Sequence, residues 1–360
     1  MTEYVPFLKL KSNEVMAVKE LEPGLRKTIT PFFDFPYMKN RTEESFISTT
    51  DRMIRSIKKN IADIPYFYLD NFDVDSSLLI DGSNNYAYLL SACEDLPVVP
   101  VISIDRNPEH MQAVCEAKNS RQLKSDLIAL RFVAGDFESF DVVADEIIEC
   151  LDDALRRFVN IDLILDCRIC LNQELDSLAP NIILFIQKFT NEYSINRVIV
   201  TGSSIPASIA DILSVQAETE FARAELDIFK QVYDEIDDKF NVVLGDYGIV
   251  SPNYSDVDIM PEAMLNITAP KIIYTFDKHH YLARGGAIRT HKRGFQQYND
   301  LAARIVKKAF YRGANYSFGD KFLEEKSRSL GSQVTPSSIL KPTINAHITY
   351  MLNDYISDEI

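Results

Sequence analysis

The sequence predicts an α/β protein built as a (β/α)8, TIM-barrel-like single domain with N- and C-terminal extensions. An open doubly wound parallel sheet is the structural alternative, because a linear pattern cannot display closure. Two observations carry the prediction. Eight short apolar runs are near-continuous rather than alternating, as strands buried on both faces are. Longer segments with helical spacing separate them at roughly 30 to 45 residues per unit, the room that parallel strands joined by crossover helices need.

The elements follow in order. An extended run, Tyr4 to Leu10, precedes the repeat and reads as a plug of the barrel floor or an edge strand; Ser12 caps a helix through Leu21. The strands are Thr28 to Phe33, Tyr66 to Leu69, Val98 to Ile104, Leu127 to Val133, Ile161 to Leu165, Arg197 to Thr201, Asn241 to Leu244 and Lys271 to Phe276. The helices between them are Glu43 to Asn60, Asn84 to Cys93, Pro108 to Lys124, Glu138 to Phe158, Leu175 to Tyr193 and Pro206 to Asp237, with Phe295 to Tyr311 after the last strand. Pro108 and Pro206 sit in first turns, where proline is tolerated. Ser251 to Pro270, with three prolines, reads as a long loop, so one barrel helix is missing. The expected divisions are an N-terminal extension over 1–26, the barrel over 27–313 and a C-terminal extension over 314–360 that packs back through Ile344 to Ile356.

Composition bounds the function. The 360 residues are 46% hydrophobic and 25% charged, enough to bury a large core and too apolar for disorder. A net charge of −15 excludes a generally basic surface of the kind that binds polyanions, so any phosphate contact must be local. Five cysteines, an odd number, with no early apolar leader, place the chain in a reducing compartment, and the cytoplasm is the expected one. No run approaches the ~20 apolar residues of a membrane helix.

In parallel α/β folds ligands bind at the carboxyl ends of the strands. That rim is charged here: Asp34, Asp70 with Asp73 beyond it, Asp105-Arg106, Arg131, Asp166 with Arg168, and Asp246-Tyr247. Clustered carboxylates repel unless they share protons, bind a divalent cation or pair with arginines. Two readings stand side by side: a site in which Asp34, Asp70, Asp105, Asp166 and Asp246 ligate metal or do acid–base work, and a structural network in which Arg106, Arg131 and Arg168 neutralise them.

Lys271 to Gly313 holds ten basic residues and two acidic ones, a local charge of +8 that leaves −23 on the remainder. Arg284-Gly285-Gly286 lies within it, after the last predicted strand, where barrel enzymes frequently hold a phosphate. The competing reading is a cationic patch that offsets the acidic surface or docks a partner. Thr201-Gly202-Ser203-Ser204 precedes a helix N-terminus, but an ordinary capped turn explains it and it is no G-x-S-x-G elbow. The side chains of His279 and His280 diverge on a strand, Cys167 and Cys170 read as core thiols, and His347 reads as structural. No Walker A, G-x-G-x-x-G or HExxH pattern occurs.

Several segments together resemble the bacterial and phage "beta protein" family. They are Tyr4-Val5-Pro6-Phe7-Leu8-Lys9-Leu10-Lys11 with Glu14, Ile29-Thr30-Pro31-Phe32-Phe33-Asp34, Gly245-Asp246-Tyr247-Gly248 with Ser251-Pro252, and Ile273-Tyr274-Thr275 leading to Arg284-Gly285. The resemblance implies one barrel-like domain and a setting of phage–host conflict or mobile elements, with no settled reaction. It singles out Lys9, Lys11, Asp34, Asp246, Tyr247, Tyr274 and Arg284.

Two functions are expected. One is an enzyme acting on a phosphorylated or otherwise anionic substrate, with the aspartates as catalytic or metal-binding groups. Lys9, Lys11, Arg131, Arg168, Tyr247, Tyr274, Arg284, Gly285 and Gly286 would bind the substrate. The other is a non-catalytic subunit, in phage defence or encoded by a mobile element, that docks an acidic partner or nucleic acid through residues 271–313.

Overall fold

A closed barrel of eight parallel strands organises the chain, as seen in a computed structural model that describes residues 4–171, 175–254 and 268–359. Its strands are β1 (Tyr4–Lys9), β2 (Phe32–Asp34), β3 (Phe67–Asp70), β4 (Val98–Ile102), β5 (Leu127–Val133), β6 (Asn160–Ile169), β7 (Arg197–Ser203) and β8 (Val242–Asp246). The order around the barrel is β1-β8-β7-β6-β5-β4-β3-β2, every pair parallel. Helices between successive strands cover the outside, among them Glu43–Asn60, Pro108–Asn119, Phe140–Leu155 and Ala224–Ile236. The expected (β/α)8 class is the observed one, and the open sheet is excluded by closure.

Side-chain alternation divides each strand between two cores. Val5, Phe7, Phe32, Tyr68, Ile164 and Ile199 are among the residues filling the barrel interior, while Leu8, Phe33, Leu69, Leu165 and Val200 pack beneath the helices. The near-continuous apolar runs of the sequence are this double burial. At the amino-terminal end of the interior, Arg197 Nε donates to Asp162 Oδ2 at 3.0 Å, placing an ion pair at the floor.

Three assignments differ from the sequence reading. Tyr4–Lys9 is the first barrel strand, not a plug or edge strand; its pairing with both β2 and β8 closes the ring. Lys271–Phe276 is not the eighth strand. Asp277, with φ of +40°, turns the chain into His279–Arg284, and the hairpin pairs with Glu218–Ala222 in a separate antiparallel sheet. Glu218–Ala222 also interrupts the helix expected from Pro206, which begins only at Ala224; the alternation of Thr219, Phe221 and their neighbours gives a half-exposed strand. The loop expected over Ser251 to Pro270 lies largely outside the described residues.

The antiparallel sheet has its own small core. Ile272, Tyr274, Tyr281 and Ala283 pack against Tyr298, Leu301 and Ile305 of the helix Gln297–Ile305 and Leu323 of the helix Phe318–Ser327. Its other face, with Ile273 and Leu282, joins the main core. The helix Leu340–Tyr350 packs back on the body, where Asn345 Nδ2 donates to the Ala17 carbonyl at 3.2 Å.

Candidate functional site at the carboxyl ends of the barrel strands

Inward-facing positions at the upper ends of β2, β3, β5 and β6 place Asp34, Asp70, Arg131 and Asp166 around one point on the barrel axis. Arg131 Nη1 donates to Asp34 Oδ1 and Asp70 Oδ2, both at 2.8 Å, and Nη2 to Asp166 Oδ2 at 2.7 Å, with Nε on the same oxygen at 3.1 Å. Tyr247, just past β8, donates its phenolic proton to Asp166 at 2.5 Å and accepts from Arg131 Nη2 at 2.8 Å. Burial pushes that phenol well above its usual range, so it stays protonated. Burial alone would raise the Asp34 carboxyl too, but Arg131 and Lys9 outweigh it and hold Asp34 at about 2.

A second tier surrounds this hub. Lys9 reaches Asp34 at 3.4 Å and Asp73 at 2.7 Å, and Arg106 bridges Asp70 at 3.1 Å and Asp105 at 2.8 Å. Arg168 adopts φ of +54°, which lets its amide donate to Asp166 Oδ1 at 2.8 Å while its guanidinium donates to Asn253 Oδ1 at 2.8 Å. Phe72 lies against the guanidinium groups of Arg106, Arg131 and Arg168, at 5.0, 4.6 and 4.5 Å. Tyr254 covers Lys9 and Lys11 at 5.0 and 5.6 Å. Asp34, Asp70 and Asp166 thus converge on Arg131, and Arg106 pairs with Asp70 and Asp105, whereas the Arg168 guanidinium bonds Asn253 and the Pro252 carbonyl instead of a carboxylate. Among the described residues no three His, Cys, Asp or Glu side chains are grouped to hold a metal ion, and the divalent cation weighed from the sequence has no such set of ligands.

Asp246 departs from the expected rim. It points outward from the barrel wall, where it accepts from Tyr4 at 2.6 Å, from the Gly248 amide at 2.7 Å and from Arg223, and lies 3.0 Å from His347 Nε2. Burial opposes its charge, but His347 and Arg223 hold it well below the usual carboxylate range. Gly248 adopts φ of +61°, a conformation that strains L side chains, and a Cβ there would lie 3.2 Å from the His347 ring. His347 continues the chain of contacts: its Nδ1 is 2.7 Å from Thr275 Oγ1, which is 3.1 Å from His280 Nδ1. His347 Nε2 carries the proton that faces the ionised Asp246, and the Thr275 hydroxyl, which can donate one bond and accept another, lies between His347 Nδ1 and His280 Nδ1. The result is a hydrogen-bonded relay of His280, Thr275, His347 and Asp246, in which every member is buried.

The remaining expected residues lie in and around the antiparallel sheet. Tyr274 faces the small core and donates to Asp320 at 2.6 Å, away from the barrel axis. Gly285 and Gly286 form backbone bonds to the Pro270 carbonyl at 2.7 Å and to Gln297 Oε1 at 2.8 Å, and hold the loop. Arg284 stands opposite Lys271 across the hairpin, and both line a cavity of about 240 Å³ with Ser208, Ile249, Ile273 and Thr343. The loops after β7 and β8 build this cavity, which is where barrel enzymes frequently place a phosphate. Neither Lys271 nor Arg284 makes an ion pair among the described residues, and like charges directly opposite on paired strands repel.

A family model described as Beta protein matches residues 4–353. The chain belongs to the Beta protein family. No curated protein matches it alongside that model. For this Beta protein, the segments that carried the resemblance now have structural reasons. Lys9 and Asp34 pair with each other, Asp246 and Thr275 share the relay, and Glu14, Tyr247 and Arg284 occupy the same carboxyl-end face or the sheet beside it. The sequence reading missed Arg223, Phe72 and Lys271 as functional candidates and took His347 as structural. Their only sequence signal was position: Arg223 follows a short alternating strand, and Lys271 was one of ten cations in the basic segment.

Proposed function

We propose that this Beta protein is a barrel enzyme that anchors a phosphorylated or otherwise anionic small substrate in the cavity above β7 and β8. Lys271 and Arg284 bind the anion there, and the His347–Thr275 relay handles protons beside it. The observation that carries the reading is the pair of unneutralised cations facing each other across the hairpin at the lip of that cavity. Ile273 and Thr343 line the cavity, and Thr275 and His347 lie two residues along the same strand face and one turn along the same helix. Arg131 has no part in substrate binding in this proposal, because all its donors are already engaged by Asp34, Asp70, Asp166 and Tyr247.

Titration calorimetry with inorganic phosphate at low ionic strength tests the reading. Binding is expected to weaken at least about tenfold in Lys271→Ala and in Arg284→Ala, roughly 1.4 kcal/mol each. Equal affinity in both folded variants would discard the anion site.

The closed, internally paired mouth favours a second reading, a non-catalytic subunit that docks an acidic partner on its basic segment. It would be marked by complex formation that falls steeply with salt and survives Arg284→Ala.

A further inference from the structure

The cavity beside Lys271 and Arg284 is shaped for more than a charge. Its volume of about 240 Å³ is about eight times the ~30 Å³ that one water takes up in the liquid, room for more than an inorganic phosphate. Branched aliphatic side chains stand around it: Ile209 from the loop after β7, Ile249 from the loop after β8, Ile273 from the hairpin, and Ile339 and Leu340 at the start of the helix Leu340–Tyr350. None of them is sealed off from a ligand. Ile209 and Ile249 keep 5% of their surface accessible, Ile273 and Ile339 keep 4%, and Leu340 is half-buried. Ile273 lies two residues from Lys271 on the same face of its strand, so the cation and an apolar wall adjoin.

The polar groups of the cavity divide unevenly. Lys271 and Arg284 bring two positive charges, and among the described residues no carboxylate lines it. A phosphomonoester dianion matches both charges, where a monocarboxylate would match one. The hydroxyls are few and partly committed: Thr343 donates to the Ile339 carbonyl at 2.8 Å and Tyr298 accepts from the Lys271 amide, which leaves Ser208 and Thr268. A sugar body carries a hydroxyl on nearly every carbon, and most of these would lose water against isoleucine without gaining a partner. Resting on the anion-site reading above, we infer that the substrate is a short-chain aliphatic phosphomonoester. Its phosphate lies between Lys271 and Arg284, and the remaining volume takes a chain of about four carbons against the isoleucines and Leu340. Sugar phosphates are the class this lining disfavours.

Titration calorimetry of the full wild-type chain with methyl phosphate, n-butyl phosphate and glycerol 1-phosphate tests this. Each added methylene is worth about fourfold in affinity when fully buried, so n-butyl phosphate is expected to bind at least about tenfold tighter than methyl phosphate. Glycerol 1-phosphate, of similar length but hydroxylated, is expected to bind no tighter than methyl phosphate. Leu340→Asn, at a half-buried position that tolerates a polar side chain, should cut the butyl advantage at least about threefold and leave methyl phosphate binding as it is. Methyl phosphate binding without a butyl advantage, glycerol 1-phosphate binding tighter than n-butyl phosphate, or an advantage untouched in folded Leu340→Asn overturns the aliphatic class and leaves the anion site standing. Failure of all three phosphates to bind removes the anion site, and the aliphatic class with it.

Discussion

Asp246 and Tyr247 are consecutive residues whose side chains leave the barrel wall in opposite directions. Tyr247 reaches inward to Asp166 at 2.5 Å and Arg131 at 2.8 Å; Asp246 reaches outward to Tyr4 at 2.6 Å and His347 at 3.0 Å. The two-residue period of extended chain thus splits one short motif between two separate polar assemblies.

The inner assembly depends on one cation. Replacing Arg131 with Met takes an ion pair from each of three buried carboxylates, leaving Asp34 with Lys9 and Asp70 with Arg106, and a loss of about 3 to 5 kcal/mol is expected in urea unfolding at pH 7. In the wild type, Asp34 has a folded pKa below its unfolded one. Its contribution to stability is present above about pH 4 and is lost as pH falls towards about 2. Arg131→Met should shrink that contribution, leaving only what Lys9 supplies nearby, which unfolding midpoints at pH 3 and pH 6 will show.

Glu14 behaves in the opposite sense. It is buried with Oε2 unpaired, and burial raises it from 4.5 to about 7 despite Lys11. A raised acid holds its proton more tightly when folded, so its contribution is full below about pH 4.5 and is lost as pH rises through about 7. Glu14→Gln should therefore gain stability over the wild type at pH 8, by on the order of 3 kcal/mol, and gain little at pH 4. A difference that does not change between these pH values would show that Glu14 is not desolvated.

The relay can be broken at its centre. Thr275→Val keeps the shape and removes the hydroxyl, leaving two buried imidazole nitrogens without partners. A cost of about 1 to 3 kcal/mol in chemical unfolding is expected, and Thr275→Ser should recover most of it.

Cys167 and Cys170 are buried, and their mutual contact together with burial raises Cys167 well above the usual thiol range. An aromatic disulfide reagent should leave both untouched in the native protein at pH 8 and modify them at the rate of unfolding. Fast modification before unfolding would contradict their place in the core.

The barrel was legible because double burial makes strands apolar throughout, and that pattern does not depend on distant partners. The charged rim was legible for the same local reason: Asp34, Asp70 and Asp166 end apolar runs. Which way each residue points depended on register, and a single-residue step separates Asp246 from Tyr247. Lys271–Phe276 looked like a barrel strand because it too is buried on both faces, but between the small core and the main one rather than between barrel and helices. Tyr4–Lys9 could not be recognised as the closing strand, since closure joins β1 to β8 across more than two hundred residues. His347 carries no local pattern; its meaning comes only from the contact of a C-terminal helix with Asp246 and Thr275.

The central claim is that the anion site lies off the barrel axis, at Lys271 and Arg284, and not at the arginine hub. A crystal structure grown with inorganic phosphate, or with tungstate as its heavy-atom substitute, measures this directly. The expected result is anion density between Lys271 and Arg284 with the Arg131 contacts to Asp34, Asp70 and Asp166 intact; density at Arg131 with those contacts broken, or an empty Lys271–Arg284 cavity at saturating anion, would contradict it.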